Sequence, residues 1–562
     1  MENELSLESL YVGGHPIITP FMERLRLREF LEEALGPPDR RFKLTPADSA
    51  LVLVRNFTLS RHPLYGVSEW AERFDPGQLG MDKRQVRFLN DDRLGRALDK
   101  LFESDLRSLM TRIIVNMVRE FDIEMKRCHN DSTSITFSGA YGQKTERPDG
   151  RRRLKIAHGH NKDHRPDLKQ LVWSLSVSSD GAVPIHYNVY DGNVTDDTTH
   201  VETWDVLRRI TGGADFIYVA DSKLCTRDNM GYIDGHGGRF ITLLPRTRKE
   251  DARFRKHILD SEIGWQVIWK RPPLRRKHDP REVFEAVEAP EPTSEGYRLL
   301  WYRSSEKWKR DERTRDNAVQ SARQQITRLR ERCGKGKLKT QQQVSSAAEK
   351  ILEETQTGEW LRVEIEPSPA CNYKQESPGR PGGKTRYVRR TMIKYEPFAT
   401  LNEHNIRTSS AADGIFPLVT NIPPDEASPL DILKAYKYQS FIEKRHEQLK
   451  TLAEVAPVNY KSPERIEAFL FLYFISVTIH ALIERNARNA MSERKIHSIP
   501  IYPEERECRA PTADKILGLF ESFRRHRLFK GRQLAETFWD SLTEVQFLTL
   551  ELLDVPASEY GQ

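Results

Sequence analysis

Residues 436–450 read YKYQSFIEKRHEQLK, a pattern that predicts a helix with a row of polar side chains on one face. Positions three, four and seven apart share a helix face, which groups Tyr436, Gln439, Glu443, Glu447 and Lys450. A carboxylate can ligate a divalent cation, and tyrosine and lysine can hold phosphate oxygens. The same spacing fits a solvated helix face with i,i+4 charge pairs. The stretch alone therefore leaves both interpretations open.

Composition narrows the class of protein. The chain has 562 residues, of which 38% are hydrophobic, and carries a formal net charge of +7. This length allows about four domains, and the basic balance favours a polyanionic partner without proving one. Five cysteines without a CxxC pair indicate a reducing compartment and argue against a disulfide framework or a zinc ribbon. The N-terminus has neither the basic start nor the apolar segment of a secretory signal.

One apolar run, AFLFLYFISVTIHALI at residues 468–483, raises the question of a membrane span. It is shorter than the roughly 20 residues that a spanning helix needs. Ser462 and Pro463 are suited to the start of a helix. We therefore predict a buried helix in a soluble protein that does not enter a membrane.

Periodicity divides the chain into five regions. Residues 1–122 show helical spacing, and the basic segment MDKRQVRFLNDDRLGR at 81–96 fits either a helix-turn-helix-like DNA reader or a plain helical bundle. Residues 123–245 predict an α/β pattern of three antiparallel strands followed by helix, strand, helix and strand, with a hairpin that has Asp180-Gly181 at its turn. Residues 246–412 form a mostly β insertion with a charged helical stretch from Trp308 to Glu354. Residues 413–485 return to the α/β pattern, and 486–562 are predicted to be mostly helical.

Three acids lie at positions of this α/β pattern where they could form a ligand site. Asp131 lies in the first long strand, Asp221 ends the strand FIYVAD, and Glu443 lies on the helix after the last strand. Ligands gather at the carboxyl ends of strands in an α/β sheet. Three clustered carboxylates repel one another unless a cation neutralises them, and Mg²⁺ prefers such hard oxygen ligands. Each aspartate could equally cap a turn or the next helix.

With these residues in place, the chain resembles the insertion-sequence DDE transposases whose third acid lies in a Tyr-x2-Arg-x3-Glu-x6-Lys signature. Tyr436, Glu443 and Lys450 match, and Gln439 stands where the signature has arginine. A neutral amide still donates a hydrogen bond but brings no charge. Further similar blocks lie within residues 120–485, namely HNDSTS, KDHRPDLKQ, DGNVTDD, VADSKLCT and DGIFPLVTN.

The resemblance implies an RNase H-like core in which Asp131, Asp221 and Glu443 are the catalytic residues and hold Mg²⁺, with Mn²⁺ as a substitute. Two such ions about 4 Å apart can activate a nucleophile and stabilise a leaving oxygen. Tyr436, Gln439 and Lys450 would contact DNA phosphates. The resemblance further implies cleavage at the ends of a mobile element, strand transfer into target DNA and a homodimer in the synaptic complex. Its setting would be the cytoplasm of a bacterium or archaeon, at the nucleoid.

Other surfaces could also meet DNA. The basic runs at 270–282 and 384–394 have few opposing acids, and in the first we expect Arg275, Arg276 and Lys277 to contact phosphates. Such runs also occur as solvated faces. GRPGGKT at 379–385 resembles a phosphate-binding loop but is one residue short and follows no apolar strand, which excludes a nucleotide-triphosphate site.

Two further constellations fit structural roles at least as well. His158, His160 and His164, near His129 in the chain order, could bind zinc, although no cysteine completes a usual set. Four tryptophans of the insertion could hold a flipped base, although core packing is commoner for this residue type. They are Trp265, Trp269, Trp301 and Trp360.

Two alternatives to a transposase stay open. One is an RNase H-like metal-dependent nuclease without strand transfer, and the other is a catalytically inactive DNA-binding derivative. The large insertion and the Tyr/Lys helix argue against a minimal nuclease. The intact acids argue against an inactive derivative.

Overall fold

The computed structural model describes residues 5–36, 43–137, 141, 153–159, 165–194, 198–272, 280–455 and 462–562. Arg275, Arg276 and Lys277 lie outside the described residues, as do His160 and His164. The chain forms two compact units. Residues 1–242 and 431–562 make up the first unit, and residues 243–430 make up the second unit.

The first unit begins with a strand and a set of helices. These are β1 (Leu5–Tyr11), α1 (His15–Arg24), α2 (Leu27–Leu35), α3 (Pro46–Leu59), α4 (Val67–Glu72), α5 (Lys83–Val86), α6 (Asp91–Glu103) and α7 (Leu106–Glu120). Helix α3 begins at Pro46, because the Thr45 hydroxyl before it accepts a hydrogen bond from the Asp48 amide at 3.0 Å. The segment considered as a DNA reader contains the short α5 and the start of α6.

An α/β section follows. Its elements are β2 (Arg127–Phe137), β3 (Lys169–Ser178), β4 (Pro184–Tyr190), α8 (His200–Thr211), β5 (Ile217–Ala220), α9 (Arg227–Gly235) and β6 (Arg239–Leu243). They form a sheet in the order β4-β3-β2-β5-β6. Strands β2, β3 and β4 are antiparallel neighbours, whereas β5 runs parallel to β2 and β6 parallel to β5. This order and these directions are those of an RNase H-like core, which confirms the predicted fold class.

The hairpin between β3 and β4 turns over residues 179–182, with Asp180 and Gly181 at its centre, which confirms the predicted turn. Gly181 and Ala182 have positive φ values of 76° and 50°. Two successive residues with positive φ match the right-handed twist of the flanking strands. The backbone at Ala182 is unusual for a residue with a side chain, and contacts described below hold it there.

The second unit contains the insertion. Its elements are α10 (Lys249–Asp260), β7 (Gln266–Arg271), β8 (Glu282–Glu288), β9 (Arg298–Ser304), α11 (Ser305–Arg332), α12 (Gln341–Glu354), β10 (Leu361–Gln375), β11 (Tyr387–Leu401), α13 (Glu403–Ser410) and β12 (Ile415–Thr420). Strands β12, β9, β8 and β7 pair in that order, while β10 and β11 form a separate two-stranded ribbon. The charged stretch is helical as predicted, in the form of α11 and α12.

The chain then returns to the first unit. The remaining elements are α14 (Pro429–Lys437), α15 (Ser440–Val455), α16 (Pro463–Glu493), β13 (Ile499–Tyr502), β14 (Arg506–Cys508), α17 (Ala513–Gly518), β15 (Arg524–Lys530), β16 (Gln533–Trp539) and α18 (Glu544–Leu552). The prediction of a mostly helical C-terminal region is wrong, because strands β13–β16 occupy much of it. Strand β15 pairs with β1 and β16, so the two ends of the described chain share one sheet.

Helix α16 is the apolar run whose membrane role was in question. It is long and apolar enough to cross a membrane, but 94% of its most apolar 18-residue window is buried inside the protein. It packs against α3, α6 and β4. It is therefore a buried core helix, as the sequence predicts, and Pro463 lies in its first turn.

Candidate active site

Strand pairing brings the two aspartates to the same level of the sheet. The parallel register joins Arg127 to Ile217, Cys128 to Tyr218 and His129 to Val219, an offset of 90 residues. Asp131 and Asp221 have this same offset, and Asp221 follows the last residue of β5. Continuing the register by two residues therefore sets the aspartates side by side, on strands about 4.8 Å apart.

Short hydrogen bonds fix both aspartates. The Asp131 Oδ1 atom accepts from the Ser132 amide at 2.8 Å, and the Asp221 Oδ1 atom accepts from the Lys223 amide at 3.0 Å. The Thr242 hydroxyl on β6 donates to the Asp221 carbonyl oxygen at 2.6 Å. Backbone donors thus orient Asp221 at the carboxyl end of β5, where ligands bind in α/β sheets, and Asp131 in the middle of the neighbouring β2.

The helix predicted over residues 436–450 is interrupted. Helix α14 ends at Lys437 and α15 begins at Ser440, with a turn at Tyr438 and Gln439 between them. The prediction of one continuous face is therefore wrong. Tyr436 lies at the end of α14, whereas Glu443 and Lys450 lie on α15.

Gln439, in this turn, joins the helices to strand β2. Its Nε2 atom donates to the Asn130 carbonyl oxygen at 2.7 Å, next to Asp131 in the chain. Its Oε1 atom faces His129 Nδ1 at 3.2 Å. Burial lowers the pKa of His129 to about 4, so its imidazole is neutral and donates through Nδ1. In the structure Gln439 thus contacts β2, where the sequence predicts a phosphate contact.

Glu443 approaches Asp131 from α15. One helical turn after Glu443, the buried His446 places its Nε2 atom 3.7 Å from Asp131 Oδ2. Residues i and i+3 share a helix face, so Glu443 lies on the side of α15 that meets β2. The Glu443 side chain is exposed, and solvent and substrate can reach it.

All three acids affect the pKa of Tyr436. Burial raises the pKa of its hydroxyl, and the negative charges of Asp221, Asp131 and Glu443 raise that pKa further. Three carboxylates separated by 90 and 222 residues in the chain therefore all lie close enough to Tyr436 to influence its pKa. Tyr436 is consequently a neutral phenol near neutral pH, and its hydroxyl can donate a hydrogen bond.

The carboxylates of these residues are the kind of ligand that a divalent cation binds. Carboxylate oxygens are the ligands that Mg²⁺ prefers, and within the described part of the chain no lysine or arginine forms an ion pair with Asp221 or Glu443. However, no three histidine, cysteine, aspartate or glutamate side chains among the described residues lie close enough together to hold a metal ion. The three carboxylates lie in the same region, but their side chains do not together surround a metal position.

The other predicted residues lie elsewhere. Lys450 is half-buried on α15, two turns beyond Glu443. His158 is exposed and His129 is buried against Gln439, so the described histidines do not form the zinc site that was considered. Trp301 is fully buried and stacks on Phe254 at 3.8 Å. The other three tryptophans also make contacts within their unit: Trp265 with Phe254, Trp269 with Phe284 and Trp360 with Ser409.

Sequence reasoning missed two contributors to this site. It did not single out His446, although that residue lies three positions after Glu443 on the predicted helix. It also did not connect His129 with Gln439, because residues 310 positions apart reveal their contact only in the fold. The spacing of His446 from Glu443 was the one signal available.

Fold and site together define a class of protein. An RNase H-like sheet with two aspartates at one level and a glutamate on the adjoining helix is the arrangement of metal-dependent enzymes that cut or join nucleic-acid backbones. Comparison with protein families then makes the assignment specific. Residues 129–479, more than half of the chain, match the family model of the transposase DDE domain. The chain belongs to the DDE transposase family, and it is a transposase.

Other comparisons add detail. Residues 8–115 match a domain of unknown function, DUF4277. No curated protein matches the chain. Among solved structures, the piggyBac transposase synaptic complex with hairpin DNA aligns at 8% identity over 96% of this chain and 80% of that chain, with a TM-score of 0.35. The Mos1 transposase paired-end complex with the left transposon end aligns at 12% identity over 36% of this chain and 58% of that chain, with a TM-score of 0.14.

Family membership makes the chain an enzyme that uses divalent metal ions to cleave DNA and transfer strands. The family model begins at His129, the residue paired with Gln439, and so includes all three acids. It also ends within α16, the core helix of the first unit.

Proposed function

We propose that Asp131, Asp221 and Glu443 form the catalytic centre at which this transposase cleaves the ends of a mobile element. The observation that carries this assignment is the convergence of all three negative charges on Tyr436. The parallel register supports it, because it sets Asp131 and Asp221 at one level. The three acids would hold Mg²⁺ or Mn²⁺, two ions in all, and the metal would supply Lewis-acid stabilisation of charge on phosphate oxygens.

The chain's own residues would position the DNA. Tyr436, kept neutral by burial and by the nearby carboxylates, would donate a hydrogen bond to a phosphate oxygen. Lys450 would offer its ammonium to the same backbone from α15. Gln439 would hold the turn before α15 against β2, so that Glu443 and Asp131 keep a fixed relation. The exposed Glu443 carboxylate would complete the metal site by a side-chain rotation.

The wider biological role follows from the family. The DNA substrates would be the terminal inverted repeats of an insertion sequence and a target duplex, held in a synaptic complex by a homodimer. Residues 1–122 would bind the element end, and Arg275, Arg276 and Lys277 would contact phosphates. The protein would act at the nucleoid in the cytoplasm of a bacterium or archaeon.

Cleavage and joining of the gene's own flanking DNA test this proposal. A duplex that contains these flanks would be incubated with the full chain, Mg²⁺ and a target plasmid. We expect Asp221→Asn to reduce cleavage about a thousandfold or more, because the loss of several kcal/mol of charge stabilisation corresponds to about three factors of ten. Asp228→Asn serves as the matched control, since Asp228 is an exposed aspartate seven residues further along, in the first turn of α9.

The products separate the alternatives. Strand joining that disappears in Asp221→Asn and persists in Asp228→Asn supports the proposed centre. Wild-type cleavage without joining would indicate a nuclease that does not transfer strands. Binding without cleavage by the wild type would indicate an inactive derivative, and undiminished cleavage by Asp221→Asn would overturn the assignment of that residue.

A further inference from the structure

The second unit carries a long two-stranded ribbon, β10 and β11. All 15 residues of each strand pair in one unbroken antiparallel register, from Leu361 with Leu401 to Gln375 with Tyr387. At about 3.3 Å per residue, such a ribbon extends about 50 Å. Isolated two-stranded ribbons are marginally stable in water, so this one needs support along part of its length.

Among the residues that the structure describes, helices α11 and α12 support the base of the ribbon. A cluster formed by α11 and α12 packs against Val363, Ile365 and Tyr395. Arg330 of α11 also lies over the Phe398 ring at 5.0 Å. Beyond this base, from Cys371 to Ile393, every residue is exposed except the half-buried Gln375 and Thr385. We call residues 371–393 the arm.

The arm is strongly basic. It holds six lysines and arginines against one glutamate, a net charge of +5 within a chain whose total is +7. The cations are Lys374, Arg380, Lys384, Arg386, Arg389 and Arg390. Within the described part of the chain none of the six forms an ion pair, whereas at the base Lys394 pairs with Glu396 and Arg362 with Glu364. Concentrated and unneutralised charge of this kind raises the local concentration of a polyanion.

Aromatic residues accompany the cations. Tyr373 and Tyr387 are 62% and 52% exposed, although large apolar rings are usually buried. Tyr373 pairs across the ribbon with Arg389, and Tyr387 with Gln375. Tyrosine hydroxyls and arginine guanidiniums are common donors to DNA phosphates. The arm therefore combines charge with directional donors.

We infer that the arm is a duplex-DNA-binding element that enters the major groove. It would bind DNA in addition to the proposed catalytic centre. The major groove is about 12 Å wide and admits a two-stranded β-ribbon, whereas the major groove of A-form RNA is too deep and narrow for side chains to read. The two strands of the ribbon are about 4.8 Å apart, which leaves room for side chains on both edges. The choice of DNA over another polyanion rests on the proposed function.

Affinity for a random-sequence duplex, measured with the full chain without metal and over a range of salt concentrations, tests this inference. The variant R380Q/R386Q/R389Q/R390Q removes four arm cations while leaving the β-ladder and the supported base intact. We expect binding at least about tenfold weaker, with the salt slope reduced by up to about 0.9 for each phosphate that the variant no longer neutralises. The charge-preserving variant R380K/R386K/R389K/R390K is expected to stay within a fewfold of the wild type.

A matched control comes from the same unit. R310Q/R313Q/R323Q/R328Q removes the same charge from exposed positions of α11, a helix that also carries the acids Glu306, Asp311, Glu312, Asp316 and Glu331. We expect it to bind nearly as the wild type does. Equal weakening of the arm and α11 variants would show that overall charge alone governs binding, and this would overturn the inference.

The remaining outcomes are also decisive. Wild-type affinity in the arm variant would overturn the inference, as would a changed oligomeric state with unchanged DNA affinity. A single-stranded oligonucleotide that binds the arm as tightly as the duplex does would exclude groove insertion. Failure of the wild type to bind any DNA would instead contradict the proposed function, so the two failures are distinguishable.

Discussion

At the scale of single residues, Gln439 is the most informative position of the site. Its amide bonds to the Asn130 carbonyl oxygen at 2.7 Å and to His129 at 3.2 Å, immediately before Asp131. We predict that Gln439→Ala lowers the free energy of unfolding by about 1 to 2 kcal/mol, since the variant cannot form these two hydrogen bonds. It should also slow cleavage about tenfold to a hundredfold, because small misplacements of catalytic groups carry large kinetic costs.

The kinetics distinguish positioning from DNA contact. A positioning role lowers kcat while the KM for DNA stays near the wild-type value, and the shorter Gln439→Asn does not restore kcat. Gln324→Ala, at an exposed amide on α11, is the control and is expected to leave both constants unchanged. A raised KM with unchanged kcat would instead support the contact between Gln439 and DNA that the sequence predicts.

The same residue shows where sequence reasoning reaches its limit. The spacing of the signature selects Tyr436 and Glu443, and in the structure the charges of Asp221, Asp131 and Glu443 all raise the pKa of Tyr436. It cannot reveal that the chain turns at Tyr438 and Gln439, since the helical periodicity continues across that break. The partners of Gln439 on β2 decide the local geometry, and they lie about 310 positions away.

At the scale of elements, a buried cation joins α15 to the β3–β4 hairpin. Arg445 donates to the carbonyl oxygens of Ala182 and Gly181, each at 3.0 Å, and pairs with Glu484 of α16 at 3.1 Å. The Tyr438 hydroxyl accepts a hydrogen bond from the Ala182 amide at 2.8 Å. These contacts hold the positive-φ turn and fix the helix that carries Glu443.

We predict that Arg445→Met lowers the free energy of unfolding by about 3 to 5 kcal/mol, because it leaves Glu484 with less compensation in a buried site. Urea denaturation of the full chain measures this difference. Arg445→Met/Glu484→Leu should lose less than the sum of the two single variants, since the double variant buries no unpaired carboxylate. Additive losses would show that the two charges act independently.

Elements also differ in how well the sequence predicts them. The strands of the RNase H-like sheet follow from alternating apolar residues, and the offset of Asp131 and Asp221 by 90 residues equals the observed strand register. Strand β1 was missed because its partner β15 lies at the other end of the chain, more than 500 residues away. Short strands such as β1 gain their stability from such pairing rather than from local propensity.

At the scale of the whole molecule, chemistry and DNA attraction lie in different parts of the chain. The three acids belong to the first unit, whereas the arm belongs to the second unit. In the proposed centre the acids place negative charge where a phosphate would bind, so without metal they would oppose DNA binding. The arm places a net charge of +5 on an exposed ribbon, where it attracts DNA with or without metal.

This division leads to a prediction for Asp131→Asn/Asp221→Asn. Without divalent metal, the variant should bind a random-sequence duplex as tightly as the wild type or severalfold tighter, with the same salt slope, because charge repulsion is removed and the arm is intact. Added Mg²⁺ should strengthen binding by the wild type and have little effect on the variant, in which neutral amides replace two of the three carboxylates. Electrophoretic mobility shifts across salt concentrations, with and without Mg²⁺, measure both effects. Asp228→Asn should respond to Mg²⁺ as the wild type does. Weak DNA binding by the double variant, or an undiminished response to Mg²⁺, would show that the aspartates do not form the metal site beside the DNA.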